Sequence, residues 1–162
     1  MARRSILPIF IPHLGCPNEC VFCDQRRISG SPLPASGQTV RGALAEARAH
    51  GARGLELAFY GGSFTAIPAE RQEALLSAAQ PFLEDGTVSA IRLSTRPDAI
   101  DDAAIKRLRR FGVRTVELGA QSMSDRVLRV SGRGHTAADT ENAARLVKDA
   151  GLALILQMMT GL

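Results

Sequence analysis

The chain has 162 residues, enough for one domain with its own core, and its 45% apolar and 22% charged composition excludes a disordered tail. No apolar run approaches the ~20 residues that a membrane-spanning helix requires. The net charge of +4 rests on 20 basic residues, of which only Lys106 and Lys148 are lysine. That arginine excess suits a phosphate-bearing partner, and it also suits solvated helix faces such as "KRLRR" at 106–110.

The first element follows Arg3 and Arg4. The pairing of basic residues with an apolar run resembles a signal peptide, but Pro8 and Pro12 interrupt the run and no small-residue cleavage site follows. Residues 5–11 are therefore predicted to form a strand, and the protein to be cytoplasmic. Next comes "PHLGCPNECVFCDQRRISG" (12–30), which holds all three cysteines, Cys16, Cys20 and Cys23. An odd, clustered set argues against a disulfide framework and for a reducing compartment.

From there helices and strands alternate. "TVRGALAEARAHG" (39–51) is predicted as a helix with Val40, Leu44 and Ala47 on one face and Gly51 as its stop. "GLELAFY" (54–60) is a strand, followed by Gly61, Gly62 and Ser63. A single helix is expected over 67–86, then a strand at 90–94 leading into Ser94, Thr95 and Arg96. "DDAAIKRLRRFG" (101–112) starts acidic and ends basic, which complements a helix dipole. A strand at 114–118 leads to Gln121, and a helix over 136–151 opens on Thr136 with Asp139 three residues on, a capping-box pattern. The last strand is "LALILQMM" (152–159), where Gln157 needs a hydrogen-bond partner or a function.

Nearly continuous apolar strands separated by helices predict an α/β fold with a parallel sheet covered by helices. In such sheets the chemistry sits in loops at the strand C-termini, and the unusual residues here occupy those loops. The final strand and turn, with no helix after them, predict a truncated open barrel belonging to a longer protein.

Three thiols in one tight loop can hold zinc or an iron–sulfur cluster. Zinc requires a fourth ligand, for which His13 is the nearest histidine, and would make the chain a metal-stabilised interaction module. A four-iron cluster usually takes four cysteines, so three leave one iron open for a ligand.

"GCPNECVFCDQ" resembles the C-x3-C-x2-C loop of the radical S-adenosylmethionine (SAM) enzymes, with Phe22 as the aromatic before the last cysteine. The resemblance implies a partial (β/α) barrel with about five βα units present, over a single core domain spanning 1–162 and incomplete at the C-terminus. It implies that Cys16, Cys20 and Cys23 ligate three irons of a [4Fe–4S] cluster, whose fourth iron binds SAM. The reduced cluster then generates a 5′-deoxyadenosyl radical that abstracts hydrogen from substrate, with a reductant such as flavodoxin or ferredoxin as partner.

"FYGGSFT" (59–65) is similar to the family's glycine-rich motif, which places Gly61, Gly62 and Ser63 against the methionine amine, although the family's commoner third residue is acidic. "STRPD" and "ELGAQSMSDRVLRVSGRGHT" resemble the elongator-type tRNA-modifying enzymes and, for the latter, the oxygen-independent coproporphyrinogen oxidases. By that match Ser94 and Arg96 stand at the rim, Gln121 meets the ribose hydroxyls, Arg133 pairs with the methionine carboxylate, and Gln157 faces the cofactor. The implied substrate is a tRNA base, or alternatively a porphyrin-like or other small molecule.

Overall fold

The computed structural model describes residues 5–11, 16, 20–23 and 35–162. His13 lies outside the described residues. Five strands form one parallel sheet: β1 (Ile6–Phe10), β2 (Leu55–Tyr60), β3 (Val88–Thr95), β4 (Val113–Gln121) and β5 (Ala153–Met158). Their order in the sheet is their order in the chain. Crossovers that keep advancing in one direction with one hand put every helix on the same face. This is the winding of a barrel wall, and the chain is an α/β protein of that type.

The helices are α1 (Gly37–Ala49), α2 (Ala69–Ser77), α3 (Gln80–Glu84), α4 (Asp102–Arg110), α5 (Asp125–Val130) and α6 (Ala137–Asp149). Side-chain caps start three of them. Ser36 and Thr39 form a capping box on α1, the Asp101 carboxylate accepts from Ala104 N at 2.7 Å on α4, and Thr136 and Asp139 form the expected box on α6. The helix expected over 67–86 is two helices. Pro81 lacks an N–H and its ring excludes the carbonyl four residues back, so α2 ends and α3 restarts with Pro81 in its first turn. The short helix α5 fills a stretch for which no helix was expected.

The strands have two different faces. Leu57, Phe59, Ile91, Leu93, Val116 and Leu118 point to the helices and are fully buried against Leu44, Leu75, Leu76, Leu108 and Val147. The alternate positions carry Glu56, Ala58 and Tyr60 on β2, Arg92 and Ser94 on β3, and Thr115, Glu117 and Gly119 on β4, aligned by register. The expectation of nearly continuous apolar strands is corrected here. Period-two alternation puts charged and hydroxyl side chains on the face away from the helices, which becomes the inner wall when the sheet curves. On the helix side of β5, Leu156 is 43% exposed.

Candidate cofactor site

At the C-terminal end of the strands, the cysteine loop is fastened to the segment between α5 and α6. Val21 N donates to Ser131 O at 3.1 Å, and the Cys20 thiol donates to Gly132 O at 3.7 Å. Cys20 is buried, while Cys16 and Cys23 are half-buried. Burial pushes the Cys16 thiol up, against the pull of the Arg96 and Arg133 guanidiniums, and the neighbouring thiols Cys23 and Cys20 push the same way as burial. Bringing anionic sulfur to this spot therefore needs compensation, and the two arginines supply it. Among the described residues, no three histidine, cysteine or acidic side chains are drawn close enough to share one metal ion. The thiols share a rim, and their soft donor chemistry and cationic surroundings fit an iron–sulfur group.

Arg133 ties this loop to the sheet. Its Nη1 stands 3.7 Å from the Cys20 sulfur and its Nη2 donates to Gly119 O, both buried. Gly119 makes that path possible, since a Cβ there would stand 2.6 Å from Arg133 Nη2 and 3.1 Å from Gln121 Nε2. Two residues on, Gln121 closes β4 with φ of 64°, the only positive φ outside glycine among the described residues. Its carbonyl accepts from Met159 N at 2.9 Å, which pins the left-handed turn to the end of β5. A strained non-glycine residue at a rim of this kind is a mark of function.

His135 Nε2 bonds with Ala120 O at 3.2 Å, and its Nδ1 is buried without a hydrogen-bond partner among the described residues. Burial lowers the His135 pKa, and Arg133 adds to that, against Asp98.

The glycine loop after β2 is clamped to the end of β3 by hydroxyls. Ser63 Oγ lies 3.0 Å from Thr95 Oγ1 and accepts from Arg96 N at 3.1 Å. Thr65 Oγ1 lies 2.6 Å from the same Thr95 atom. The Ser63 side chain is thereby engaged with protein, completely buried. Arg96 is buried as well and forms a two-pronged pair with Asp98, with both contacts at 2.9 Å. Ser94 Oγ is buried and has no hydrogen-bond partner among the described residues. Phe22 is half-buried in the turn between Cys20 and Cys23, where Cys23 N donates to Cys20 O at 3.0 Å.

Below the rim, the inner wall carries a network that sequence reasoning missed. Glu117 Oε1 accepts from Tyr60 OH at 2.9 Å and from Arg92 Nη1 at 3.1 Å, and its Oε2 accepts from Gln157 Nε2 at 2.7 Å. Arg92 Nε is ion-paired with Glu56 Oε1 at 3.0 Å. Burial, with Glu117 adding to it, raises the Tyr60 pKa against the opposing bond to Arg92. Burial also opposes the charge of Arg92, but its bonds to Tyr60 and Glu56 outweigh this and raise its pKa. Gln157 thus has the partner that a polar residue in an apolar strand requires. Alternation within "GLELAFY" and "AIRLS" was the available signal for Glu56, Tyr60 and Arg92.

Comparison with known proteins bears on the family and the fold. A tRNA uridine(34) acetyltransferase of Methanocaldococcus infernus is 35% identical over 95 residues, covering 57% of this chain and 18% of that protein. Its counterpart in Methanocaldococcus jannaschii is 31% identical over 130 residues, covering 70% of this chain and 24% of that protein. The chain therefore spans 18% to 24% of the length of these curated relatives. Among solved structures, the archaeal M. infernus Elp3 superposes with a TM-score of 0.70 at 24% identity, over 99% of this chain and 39% of that one. The coproporphyrinogen III oxidase HemN of Escherichia coli superposes with a TM-score of 0.72 at 18% identity, over 98% of this chain and 38% of that one. Those two likenesses speak to the fold alone. The sequence profile of the Radical SAM superfamily matches residues 10–162, from the end of β1 through the cysteine loop and all that follows, and the chain belongs to that superfamily.

Proposed function

We propose that this chain is the cofactor-binding core of a radical SAM enzyme that modifies tRNA, with Cys16, Cys20 and Cys23 holding a [4Fe–4S] cluster. The observation that carries the reading is the docking of the cysteine loop on the Arg133 segment, with Arg133 Nη1 3.7 Å from the Cys20 sulfur and Arg96 close enough to act on the Cys16 thiol. Guanidiniums beside a thiolate-ligated group offset its negative charge. When bound, the cluster and SAM supply a 5′-deoxyadenosyl radical for hydrogen abstraction.

The residues of the chain bind and orient. Gly61 and Gly62 let the backbone approach the methionine end of the cofactor, because no Cβ stands in the way. Ser94 Oγ, buried and unpartnered among the described residues, offers a hydrogen bond at the same rim. Arg133 suits the carboxylate, the Gln121 amide suits the ribose diol, and Phe22 shields the loop from water. A small reductant protein such as a flavodoxin or ferredoxin delivers the electron, in the cytoplasm. The tRNA assignment is supported by relatives at 31% and 35% identity whose names carry that substrate, and by the 20 basic residues, nearly all arginine.

Anaerobic reconstitution with iron and sulfide tests the cofactor half. A brown protein with about four irons is expected, with a paramagnetic resonance signal that changes when SAM is added. Cys20→Ala should lower the iron content. A colourless protein holding one zinc overturns the reading. Retention on tRNA at low salt, weakening steeply as salt rises, tests the substrate half, and its absence overturns that half alone.

A further inference from the structure

The surface over the cysteine loop combines features that suit a second protein. Val21 and Val130 are 76% and 75% exposed, the two most exposed large apolar side chains among the described residues. They come from segments far apart in the chain, yet the bond from Val21 N to Ser131 O at 3.1 Å brings those segments together. Two hydrocarbon side chains standing this far into water gain from being covered. Cys20, the residue before Val21, is buried behind them, and its thiol meets Gly132 O at 3.7 Å.

The charge of this surface is set by α5. Arg126 and Val130 stand one turn apart on that helix, Arg129 stands one turn from Arg126, and both arginines are exposed. Neither is ion-paired among the described residues. Asp125, the only acid of the helix, accepts from Ala137 N at 2.8 Å. By sequence the stretch from Cys16 to Arg27 is neutral, Glu19 and Asp24 against Arg26 and Arg27, so α5 decides the sign. Like charges a turn apart repel each other, and an acidic partner relieves that repulsion.

We propose that Val21, Val130, Arg126 and Arg129 form the landing surface for the protein that reduces the cluster, an acidic one-electron carrier. This rests on the radical SAM reading above and gives its reductant a place on the chain. Electron tunnelling falls off exponentially with distance and runs best through covalent and hydrogen bonds. From Val130 the route passes through Ser131 O to Val21 N, and from Val21 along the backbone to Cys20. The anionic reduced flavin of a flavodoxin gives up one electron and the cluster takes it up; no proton moves and no bond forms or breaks. Redox encounters of this kind use small interfaces, so a two-valine centre with a basic edge suffices. The arginines steer the partner and raise its on-rate more than its affinity.

The test uses the cluster-loaded protein and follows, by anaerobic stopped-flow, how fast it oxidises a reduced acidic flavodoxin. Photoreduced deazariboflavin, small and uncharged, is the control, since it needs no landing surface. The double variant Arg126→Glu, Arg129→Glu should slow the second-order rate with flavodoxin about tenfold at low salt, and the gap should close as salt rises. Val130→Ser should slow it about threefold at any salt, since it removes hydrocarbon and no charge. With deazariboflavin both variants should stay within about twofold of the unmutated protein, because a neutral reactant is not steered. Thermal melts and iron analysis confirm that both variants fold and load. Unchanged flavodoxin rates in both variants overturn the proposal, and so does an equal slowing with deazariboflavin. Sedimentation showing that the patch pairs two copies of the chain, with Val130→Ser separating them, overturns it as well. An unmutated protein that takes up no iron fails at the radical SAM reading, before any carrier is added, and takes the proposal with it. A loaded protein that fails only with flavodoxin leaves that reading standing.

Discussion

The Oγ1 atom of Thr95 is shared by the hydroxyls of Ser63 and Thr65 and accepts from Thr65 N at 3.3 Å, while Ser63 Oγ takes the N–H of Arg96. One hydroxyl proton and two lone pairs are all in use, so the set closes without water. Thr95→Val leaves its partners unsatisfied and should cost about 1–3 kcal/mol in chemical denaturation, with Thr95→Ser recovering most of it. At Gly119 the limit is space. Gly119→Ala puts a methyl group 2.6 Å from Arg133 Nη2, so the guanidinium must leave. SAM affinity in a binding titration and iron retention after reconstitution should both fall below those of the unmutated protein, because the same guanidinium stands beside the Cys20 sulfur. His135 gives the rim a pH response. Its pKa is lowered from 6.5 by burial, with Arg133 reinforcing, so the fold prefers neutral imidazole. Its contribution to stability is complete above about pH 6.5 and is lost as pH falls through the lower folded value. The melting temperature should drop on acidification from about pH 7.5 to about pH 5.5, and by less in His135→Gln.

Among the elements, α4 shows how far local chemistry decides a helix. Asp101 caps it through Ala104 N, basic Arg107, Arg109 and Arg110 fill its last turn, and Ala104, Ile105 and Leu108 face the sheet. Asp101→Ala should cost about 1 kcal/mol by denaturant titration. All of that is legible in "DDAAIKRLRRFG", because caps, dipole charges and periodicity act within a dozen residues. The cysteine loop was legible for a similar reason: three rare thiols at fixed spacing leave few chemistries open. The break between α2 and α3 was also encoded locally, in Pro81, but an unbroken apolar periodicity outweighs one proline when the segment is read alone. Gln121 was placed in a loop, whereas β4 runs on to include it. Its strand pairing depends on Met159, 38 positions away, which no local pattern carries.

For the molecule as a whole, the inequality of the two sheet faces matters most, and it needs register to be seen. Glu56, Arg92, Glu117 and Gln157 come from four strands, and only their alignment turns four isolated polar residues into one network. On the helix side, Leu118 is fully buried, and Leu118→Ala should cost about 2–5 kcal/mol. Leu156, next to it in register but 43% exposed, should tolerate the same change in this chain at well under half that cost. The same inequality governs how the chain responds to solvent. Both the denaturant slope and the heat-capacity increment of unfolding scale with the surface newly wetted, apolar surface raising the increment and polar surface lowering it. The inner face of the central strands hides Glu56, Thr115 and Glu117 beside Ala58 and Ala90, so unfolding wets buried polar surface there along with the hydrocarbon of the helix side. That polar surface offsets part of the apolar contribution, so calorimetry should find a smaller heat-capacity increment per residue, and a flatter stability curve against temperature, than in α/β domains of equal length whose sheets are apolar on both faces.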